Sequence, residues 1–427
     1  MNYFLIVLPV IALIILFALS VPIGYAMLAT CILYYLAAGK NTGIVLNVSM
    51  SNLYATTSFV AIPLFIFAGN VMNSAKVTEY MFTFAKALIG KRRGATAYIN
   101  ILLSLIFAGM TGSALADACG IGVIEMDEMN RDGYDKEFSA AITSATSTVG
   151  PIFPPSIGAV IYSMLAGVSV GKLFAGGMIP AVLMCVSLGF YVDYISRKRN
   201  YPHGVSFSFH EFLEYTWKAL PALITPILLL GGLYSGLVTC TEAGALAGFY
   251  VIFISFIIYK SLTWKELLKI IRDSTVQTGC TMTIAMAAWV LSNVVTSTGM
   301  DDIICDWFLS VTDNKYIFLL IVNIVFLLLG MFFDSSVIQF VFLPLVIPIA
   351  AALGVNLIHF GVLTLLNIVI GLISPPYGIV TINVAALSHQ DLTAVFKEQM
   401  PMLIILLLVL AIVTYIPAIV MFIPNLM

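Results

Sequence analysis

The chain has 427 residues, of which 61% are hydrophobic and only 9% are charged, and its formal net charge is −2. A soluble protein carries about 25% charged residues, so this composition excludes a soluble globular protein and predicts an all-α, polytopic membrane protein. The slightly acidic balance offers no polybasic surface, so no nucleic-acid partner is expected. Six cysteines and four histidines are scattered without a metal or nucleophile spacing, so neither an enzyme nor an organic cofactor is expected.

Apolar segments long enough to span a bilayer, which takes about 20 residues, follow one another along the chain. The predicted crossings lie near 4–19, 22–38, 53–74, 138–168, 175–195, 217–236, 242–259, 275–297, 360–388 and 402–424. No basic region precedes the first apolar run, which argues against a cleaved signal peptide.

Two further apolar pairs, 97–130 and 316–353, do not fit the list of crossings. Each arm has roughly 14–16 residues before a break, which reaches only about 21–24 Å at the helical rise, short of the ~30 Å hydrocarbon core. We interpret both pairs as re-entrant helical hairpins that enter and leave the membrane on one side. The segments 77–86 and 302–309 precede them; both are amphipathic and are predicted either to lie at the interface or to pack on the protein.

Small, hydroxyl and proline residues interrupt the apolar pattern at four places, 109–113, 150–156, 330–336 and 371–378. Proline removes a backbone donor and clashes with the preceding turn, so the segments 138–168 and 360–388 are predicted to be broken helices. The breaks share one spacing of 221 residues, which relates the pairs Gly109 and Gly330, Gly150 and Gly371, Pro154 and Pro375, and Pro180 and Pro401. Interrupted segments at matching places in two halves indicate a transporter with two repeats, 1–205 and 206–427.

Basic residues predict the orientation of these repeats. Sixteen of the 19 Lys and Arg residues fall in turns on one side of the predicted topology, and only Lys40, Lys172 and Lys315 fall on the other. The biased side is cytoplasmic by the positive-inside rule, so both termini are predicted to be periplasmic. Five crossings per repeat, an odd number, make the second repeat inverted. Hairpin 97–130 then enters from the cytoplasm and hairpin 316–353 from the periplasm.

The breaks supply oxygen atoms that suit an alkali cation, because non-helical backbone at membrane depth exposes carbonyls beside hydroxyls and carboxylates. The predicted sodium ligands are Thr111, Gly112, Ser113, Ser147, Gly150, Asp334, Ser335, Ser336, Gly371 and Ser374. The alternative is that the hydroxyls satisfy broken helix ends and that Asp334 caps the arm after it. An intramembrane carboxylate is costly and favours a function for Asp334.

Helix N-termini after the breaks carry positive partial charge and free N–H groups, which suit the carboxylate of an organic acid. The predicted substrate-binding residues are Pro154, Pro155, Ser156, Pro375, Pro376 and Tyr377. The first hairpin also contains four acidic residues. Glu125, Asp127 and Glu128 are predicted to lie at a solvated helix end, and Asp117 is predicted to lie deeper. Glu242 is predicted to cap the helix that it opens.

Several motifs together resemble the large membrane subunit of tripartite ATP-independent periplasmic (TRAP) transporters. They are Ala61–Gly69 (AIPLFIFAG), Gly112-Ser113-Ala114, Gly133-Tyr134-Asp135, Pro154-Pro155-Ser156 and Thr241-Glu242-Ala243. The resemblance implies an elevator-type, sodium-coupled importer of organic acids in the bacterial inner membrane. The sialic-acid branch is the most similar, followed by the C4-dicarboxylate branch. It also implies a soluble periplasmic binding protein and a small four-helix membrane subunit. We expect that subunit to be a separate chain, because no extra helices precede the first repeat.

Stand-alone sodium/divalent-anion symporters have a similar fold and are the nearest alternative. That family carries Ser-Asn-Thr at both hairpin tips, whereas this sequence has Thr-Gly-Ser at 111–113 and Asp-Ser-Ser at 334–336, which favours the tripartite family. A channel would need no binding protein. An intramembrane hydrolase would need a base at the breaks, and the four histidines lie away from them.

Overall fold

A computed structural model describes residues 3–55, 57–74, 77–300, 303–306 and 314–427. Within these ranges the protein is helical, and its one β-bridge is an isolated pairing of Arg93 with His203. The helices of the first half are Tyr3–Ala18, Ile23–Ala37, Gly43–Ala55, Ala61–Ser74, Val77–Ile89, Ala95–Thr111, Ala114–Cys119, Ile121–Arg131, Lys136–Ser147, Ile157–Ala166 and Val170–Lys198. Those of the second half are Phe209–Tyr234, Cys240–Phe253, Trp264–Thr298, Lys315–Phe332, Ser335–Ala352, Leu357–Gly371, Ile379–Leu387, Leu392–Tyr415 and Pro417–Met421.

Seven of the described helices are long and apolar enough to cross a membrane. They are Val170–Lys198, Phe209–Tyr234, Cys240–Ile258 (whose last turn is a π-helix), Trp264–Thr298, Lys315–Phe332, Ser335–Ala352 and Leu392–Tyr415. The all-α, polytopic class predicted from composition is therefore confirmed.

Several helices begin before the predicted apolar spans. The span predicted at 402–424 begins at Leu392, where Asp391 accepts a hydrogen bond from the backbone N–H of Ala394 at 3.0 Å. The span predicted at 53–74 is divided between Gly43–Ala55 and Ala61–Ser74. Hydropathy locates the apolar centre of a helix, whereas polar first turns and caps set its ends.

Two helix pairs occupy the positions of the predicted hairpins, and in each the two arms contact each other. The first hairpin consists of Ala95–Thr111, Ala114–Cys119 and Ile121–Arg131, and the second of Lys315–Phe332 and Ser335–Ala352. Both arms of the second hairpin have 18 residues, a rise of about 27 Å. The expected arm length of roughly 14–16 residues is therefore wrong for this pair, and re-entrance stays a prediction.

Element boundaries follow the 221-residue spacing found in the sequence. The first arms of the hairpins end at Thr111 and Phe332, and the next long buried helices begin at Lys136 and Leu357. Each of those helices ends before a Pro-Pro pair, 154–155 or 375–376, whose peptide bond is cis. The division into 1–205 and 206–427 stays a prediction.

The two helices that precede the Pro-Pro pairs lie at the centre of the hydrophobic core. Every residue from Phe138 to Ser147 and from His359 to Gly371 is buried. Backbone that leaves a helix after these segments is therefore enclosed by protein, as a low-dielectric interior requires. The exception is the outer end of the second break, where Pro376 and Tyr377 are exposed.

The amphipathic segment predicted at 77–86 forms the helix Val77–Ile89. Its buried residues Val77, Met81 and Ala85 lie on one face, and the helix packs against Phe209–Tyr234 and Ala95–Thr111. This face is therefore packed on protein. Half of the second amphipathic segment, 302–309, lies outside the described residues, since only 303–306 are described.

The second hairpin meets its neighbouring broken helix through two glycines. A Cβ added to Gly330 would lie 2.8 Å from the Cα of Gly371 and 2.9 Å from the carbonyl oxygen of Ile368. Because these neighbours are backbone atoms, they cannot rotate away. We expect Gly330→Ala to lower the free energy of unfolding by about 1–3 kcal/mol through overpacking.

Gly279→Ala is the matched control, because Gly279 also lies inside a helix but a Cβ there meets nothing within 4 Å. It should stabilise the protein by about 0.5–1 kcal/mol. Thermal unfolding of both variants in detergent gives the comparison. Equal effects of the two substitutions would contradict the close crossing.

Candidate functional site

A cavity of about 190 Å³ lies where both hairpins and both broken helices meet, and we call it the tip cavity. Its wall contains the first two residues of four helices: Ala114 and Leu115, Ile157 and Gly158, Ser335 and Ser336, and Ile379 and Val380. The tip residues Gly112, Ser113 and Asp334 also line it, with Gln339 from the second hairpin and Gln277 and Thr281 from Trp264–Thr298. The structure thus gathers five of the ten predicted sodium ligands around one space.

The tip of the first hairpin is held by its neighbouring broken helix. Gly112 has φ +58°, and a Cβ there would lie 2.8 Å from the carbonyl oxygen of Pro155, so glycine allows both the turn and the close approach. The Ser113 hydroxyl accepts a hydrogen bond from the backbone N–H of Ala116 at 3.4 Å. Thr111 ends the preceding helix, and its side chain lies outside the described part of the chain.

The tip of the second hairpin carries the only carboxylate among the described residues of the cavity wall. Asp334 is exposed, and its Oδ2 accepts a hydrogen bond from the backbone N–H of Ser336 at 2.9 Å. The cap considered as an alternative role for Asp334 is therefore present. Its other oxygen is not used by this cap, so capping leaves the residue able to bind a cation.

Gln339 is a wall residue that the sequence analysis missed. Its Nε2 donates to the hydroxyl of Ser335 at 3.1 Å. The side chain is only 1% exposed, and Oε1 has no hydrogen-bond partner in the described parts of the chain. A lone amide in the apolar run that follows Ser336 was the available signal, because polar residues at membrane depth are costly.

Three predicted site serines are buried and bonded to nearby backbone. The Ser147 hydroxyl donates to the carbonyl of Ser144 at 2.8 Å and that of Ser374 to Ile370 at 2.7 Å. The Ser156 hydroxyl donates to the carbonyl of Pro151 and accepts from Ala159 at 3.1 Å. These bonds satisfy broken helix ends, as the alternative interpretation expected. A role in binding stays a prediction for these serines.

The remaining predicted residues lie behind or beside the cavity. Gly150 faces the first tip, since a Cβ there would lie 3.7 Å from the carbonyl oxygen of Ser113, and Gly371 packs on Gly330. Pro154 and Pro155 are buried, Pro375 is half-buried, and the exposed ring of Tyr377 lies 6.1 Å from that of Phe332. The wall is formed instead by Pro151, before the first proline pair, and by residues after each pair.

Two carboxyl groups of the first hairpin are buried in its interior. Asp117 is 2% exposed and Glu125 is 1% exposed. The Ser104 hydroxyl donates to Asp117 Oδ2 at 2.9 Å. Asp117 Oδ1 and both Glu125 oxygens have no hydrogen-bond partner within the described residues. The predicted solvated position is therefore wrong for Glu125.

Helical periodicity explains this correction. Gly122, Glu125 and Met129 lie on the buried face of Ile121–Arg131, whereas Asp127 lies on the exposed face. Glu128 lies between these faces and pairs with Lys86 at 2.7 Å and with Arg131 at 3.0 Å. All three acids lie close in sequence to the polar residues 130–132, so the sequence did not show that they lie on different faces of the helix.

The predicted cap at Glu242 is confirmed. The backbone N–H of Thr239 donates to Glu242 Oε2 at 2.7 Å, and the Thr239 hydroxyl accepts from the N–H of Glu242 at 3.3 Å. This reciprocal arrangement is a capping box.

Comparison with known proteins shows which family this chain matches. The sequence profile described as "Tripartite ATP-independent periplasmic transporter, DctM component" matches residues 10–419. The chain is 33% identical over 410 residues to the sialic acid TRAP transporter large permease protein SiaM of Vibrio cholerae, covering 95% of each chain. It is 36% identical to the sialic acid TRAP transporter permease protein SiaT of Haemophilus influenzae, covering 96% of this chain and 66% of that protein.

A C4-dicarboxylate TRAP transporter large permease protein, DctM of Pseudomonas aeruginosa, is 35% identical over 368 residues and 86% of each chain. Among solved structures, the YdaH transporter of Alcanivorax borkumensis superposes with a TM-score of 0.64 over 87% of each chain. At 12% identity, the latter likeness concerns the fold alone.

The buried Glu125 carboxyl gives a test of the first hairpin's packing. At neutral pH a buried carboxyl group without a partner must either keep an unpaired charge or take up a proton, and a neutral amide avoids both free-energy costs. We expect Glu125→Gln to raise the melting temperature by about 2–4 °C, measured by thermal unfolding in detergent at neutral pH. Asp127→Asn removes an exposed carboxylate from the same helix and should leave the melting temperature unchanged. A lower melting temperature for Glu125→Gln would contradict the absence of a stabilising partner.

Proposed function

Because the chain belongs to the DctM family of tripartite ATP-independent periplasmic transporters, we propose that it imports an organic acid by sodium-coupled secondary transport. As a member of that family it is a multi-pass inner-membrane transporter and not an enzyme. We propose sialic acid as the substrate, with a C4-dicarboxylate as the second candidate. The names of the similar permeases from Vibrio cholerae and Pseudomonas aeruginosa support these two classes.

The observation that carries this proposal is the convergence of four helix N-termini on the tip cavity. The beginnings of Ile157–Ala166, Ser335–Ala352 and Ile379–Leu387 lie in its wall together with the shorter Ala114–Cys119. Helix N-termini combine positive partial charge with unpaired N–H groups, which suits a carboxylate substrate. A cavity between two halves of a transporter is also where such a substrate is expected to bind.

The same wall contains hard oxygen atoms that suit sodium. Asp334 supplies a carboxylate, Ser113 and Ser335 supply hydroxyl groups, and Gln339 adds a buried carbonyl oxygen that has no hydrogen-bond partner among the described residues. Sodium bound here would neutralise Asp334, which otherwise repels the carboxylate of the substrate. Each ligand then raises the affinity of the other by the same factor, which is the thermodynamic basis of coupling.

The wall of the tip cavity is formed by two groups of residues that could move relative to each other, which supports an elevator movement. Hairpins and broken helices supply one group, and Gln277 and Thr281 of Trp264–Thr298 supply the other. Asn70 of Ala61–Ser74 donates to Ser274 at 2.9 Å and to Gln277 at 3.3 Å, which links two helices outside the hairpins. In the proposed movement the hairpins carry the site past this wall. The 221-residue recurrence supports two repeats, and the odd number of predicted crossings in each supports their inversion.

The proposal includes two partners and an orientation. A soluble periplasmic binding protein delivers the acid, and a small four-helix membrane subunit accompanies the permease. In this orientation both termini lie in the periplasm, which is supported by the sixteen of 19 basic residues that fall on the opposite side of the predicted topology. A stand-alone sodium/divalent-anion symporter would transport without either partner.

Replacing the Asp334 carboxylate tests the sodium site without removing the helix cap. Asn caps a helix about as well as Asp, so Asp334→Asn retains an acceptor for Ser336 but loses the charge. We expect sodium-driven uptake to fall at least about tenfold, since a hydrogen bond or contact to a charged group contributes about 1.5–3 kcal/mol. The measurement is uptake into proteoliposomes that contain both partners under an inward sodium gradient.

Asp391→Asn is the matched control, because Asp391 also caps a helix but lies outside the tip cavity. It should leave uptake unchanged. Parallel assays with N-acetylneuraminate and succinate, each with and without binding protein, test the substrate and the partner. Normal sodium-driven uptake by folded Asp334→Asn would overturn the site, and uptake without binding protein would favour the symporter.

A further inference from the structure

A second and larger cavity, of about 970 Å³, lies between Ala95–Thr111 and Val170–Lys198. Its wall shares no described residue with the tip cavity. The wall is apolar along its length and basic at one end, where Arg92, Arg93, Arg197 and His203 lie. We call this cavity the lateral groove.

The basic end is formed by two chain segments that are held together by backbone hydrogen bonds. Arg93 and His203 form an antiparallel β-bridge. The N–H of Gly94 donates to the carbonyl of Pro202 at 2.9 Å, and that of Gly204 donates to the carbonyl of Arg92 at 2.9 Å. Because the backbone is fixed here, Arg92 and Arg93 both line this end of the groove before any ligand binds.

The charges at this end are only partly compensated. Asp193 is the acidic residue of the described wall, and it pairs with Arg197 at 2.9 Å. The Arg92 guanidinium lies 5.4 Å from the ring centroid of Tyr98, and Arg93 Nε donates to His203 Nε2 at 3.3 Å. Arg92 and Arg93 therefore retain positive charge and free donors for an anion.

The long walls are apolar and open to the outside. Val182, Val186 and Phe190 follow one another at four-residue spacing on the exposed face of Val170–Lys198, with Leu102 and Leu105 opposite. Gly189 contributes no side chain, and its carbonyl accepts a hydrogen bond from the Tyr98 hydroxyl at 3.1 Å. The groove thus offers an apolar surface along which a hydrocarbon chain can lie beside the helices.

We propose that the lateral groove is a binding site for an anionic phospholipid. The phosphate lies at Arg92 and Arg93, and an acyl chain follows Val182, Val186 and Phe190 into the hydrocarbon region. Basic pockets between membrane helices on the cytoplasmic side recognise acidic head groups, and both basic segments lie on the side predicted to be cytoplasmic. A free phosphate would use only the basic end and would leave the apolar walls without a role.

The head-group part is tested by native mass spectrometry of the full chain in nanodiscs of phosphatidylglycerol and phosphatidylcholine. Wild type should retain phosphatidylglycerol in preference to phosphatidylcholine after release from the disc. The double variant R92Q/R93Q should retain on the order of tenfold less phosphatidylglycerol, because each basic residue contributes about 1 kcal/mol at an anionic surface. The control K265Q/K269Q removes two exposed lysines from Trp264–Thr298 and should retain as much as wild type.

The acyl-chain part is tested by filling the groove. Val186→Trp places a ring in the lateral groove and should lower retention of phosphatidylglycerol at unchanged charge. Leu246→Trp is the control, because Leu246 is 46% exposed and Val186 is 48% exposed, but Leu246 lies outside the groove. Monodisperse elution and an unchanged melting temperature identify folded variants.

The proposal would be overturned if R92Q/R93Q retained as much phosphatidylglycerol as wild type, or if K265Q/K269Q lost as much of it as R92Q/R93Q. Unchanged retention of phosphatidylglycerol by Val186→Trp would also overturn it. Displacement of the lipid by inorganic phosphate alone would likewise overturn it, because it would reduce the site to its basic end.

Discussion

The constraint on which this structure depends is that interrupted backbone inside a membrane protein must be satisfied by the protein itself. Two glycine and proline breaks in each half release carbonyl and N–H groups in the core. Buried hydroxyl groups satisfy some of these carbonyls: Ser147 and Ser374 each donate a hydrogen bond to a carbonyl of the preceding turn. Close packing encloses the breaks within the protein, since Gly112 lies against the backbone of Pro155. The helices that begin after the breaks place their first residues, such as Ile157, Ser335 and Ile379, in the wall of the tip cavity, so the cavity is a direct consequence of the breaks.

Local chemistry explains which features could be predicted from the sequence. Proline and glycine act on the backbone of their immediate neighbours, so the breaks at 150–156 and 371–378 were visible without knowledge of the fold. Capping is also local, because an acid three residues after a threonine reaches back to the same turn, as at Glu242. The repeated spacing then gave the correspondence between halves, and it extends to helix ends such as Thr111 and Phe332.

Features that depend on contacts between distant segments could not be predicted in this way. Gln277 and Thr281 join the tip cavity only because Trp264–Thr298 passes beside the hairpins, and nothing in their neighbourhood of the sequence indicates this. The arm length of the second hairpin was underestimated because only apolar residues were counted. Its second arm begins with the polar residues Ser335 and Ser336, which Asp334 caps. Glu125 was misplaced because a helix face, rather than distance along the chain, determines exposure. In each case tertiary packing outweighed the local pattern.

The helix Ala95–Thr111 connects the two cavities, since it begins at the basic end of the lateral groove and ends at the first tip. Its 17 residues lie between Gly94 and Gly112, which are about 27 Å apart at the helical rise. Two unit charges at that distance interact by only about 0.6 kcal/mol at an effective dielectric constant of 20. A phosphate at Arg92, whose charge the guanidinium opposes, would therefore have little effect on the affinity of the tip for an ion through the electric field. What the helix can transmit over this distance is position, because a continuous hydrogen-bonded rod fixes one end relative to the other. One helix thus joins the basic end of the groove to the proposed sodium site, and a coupling between them would be mechanical rather than electrostatic.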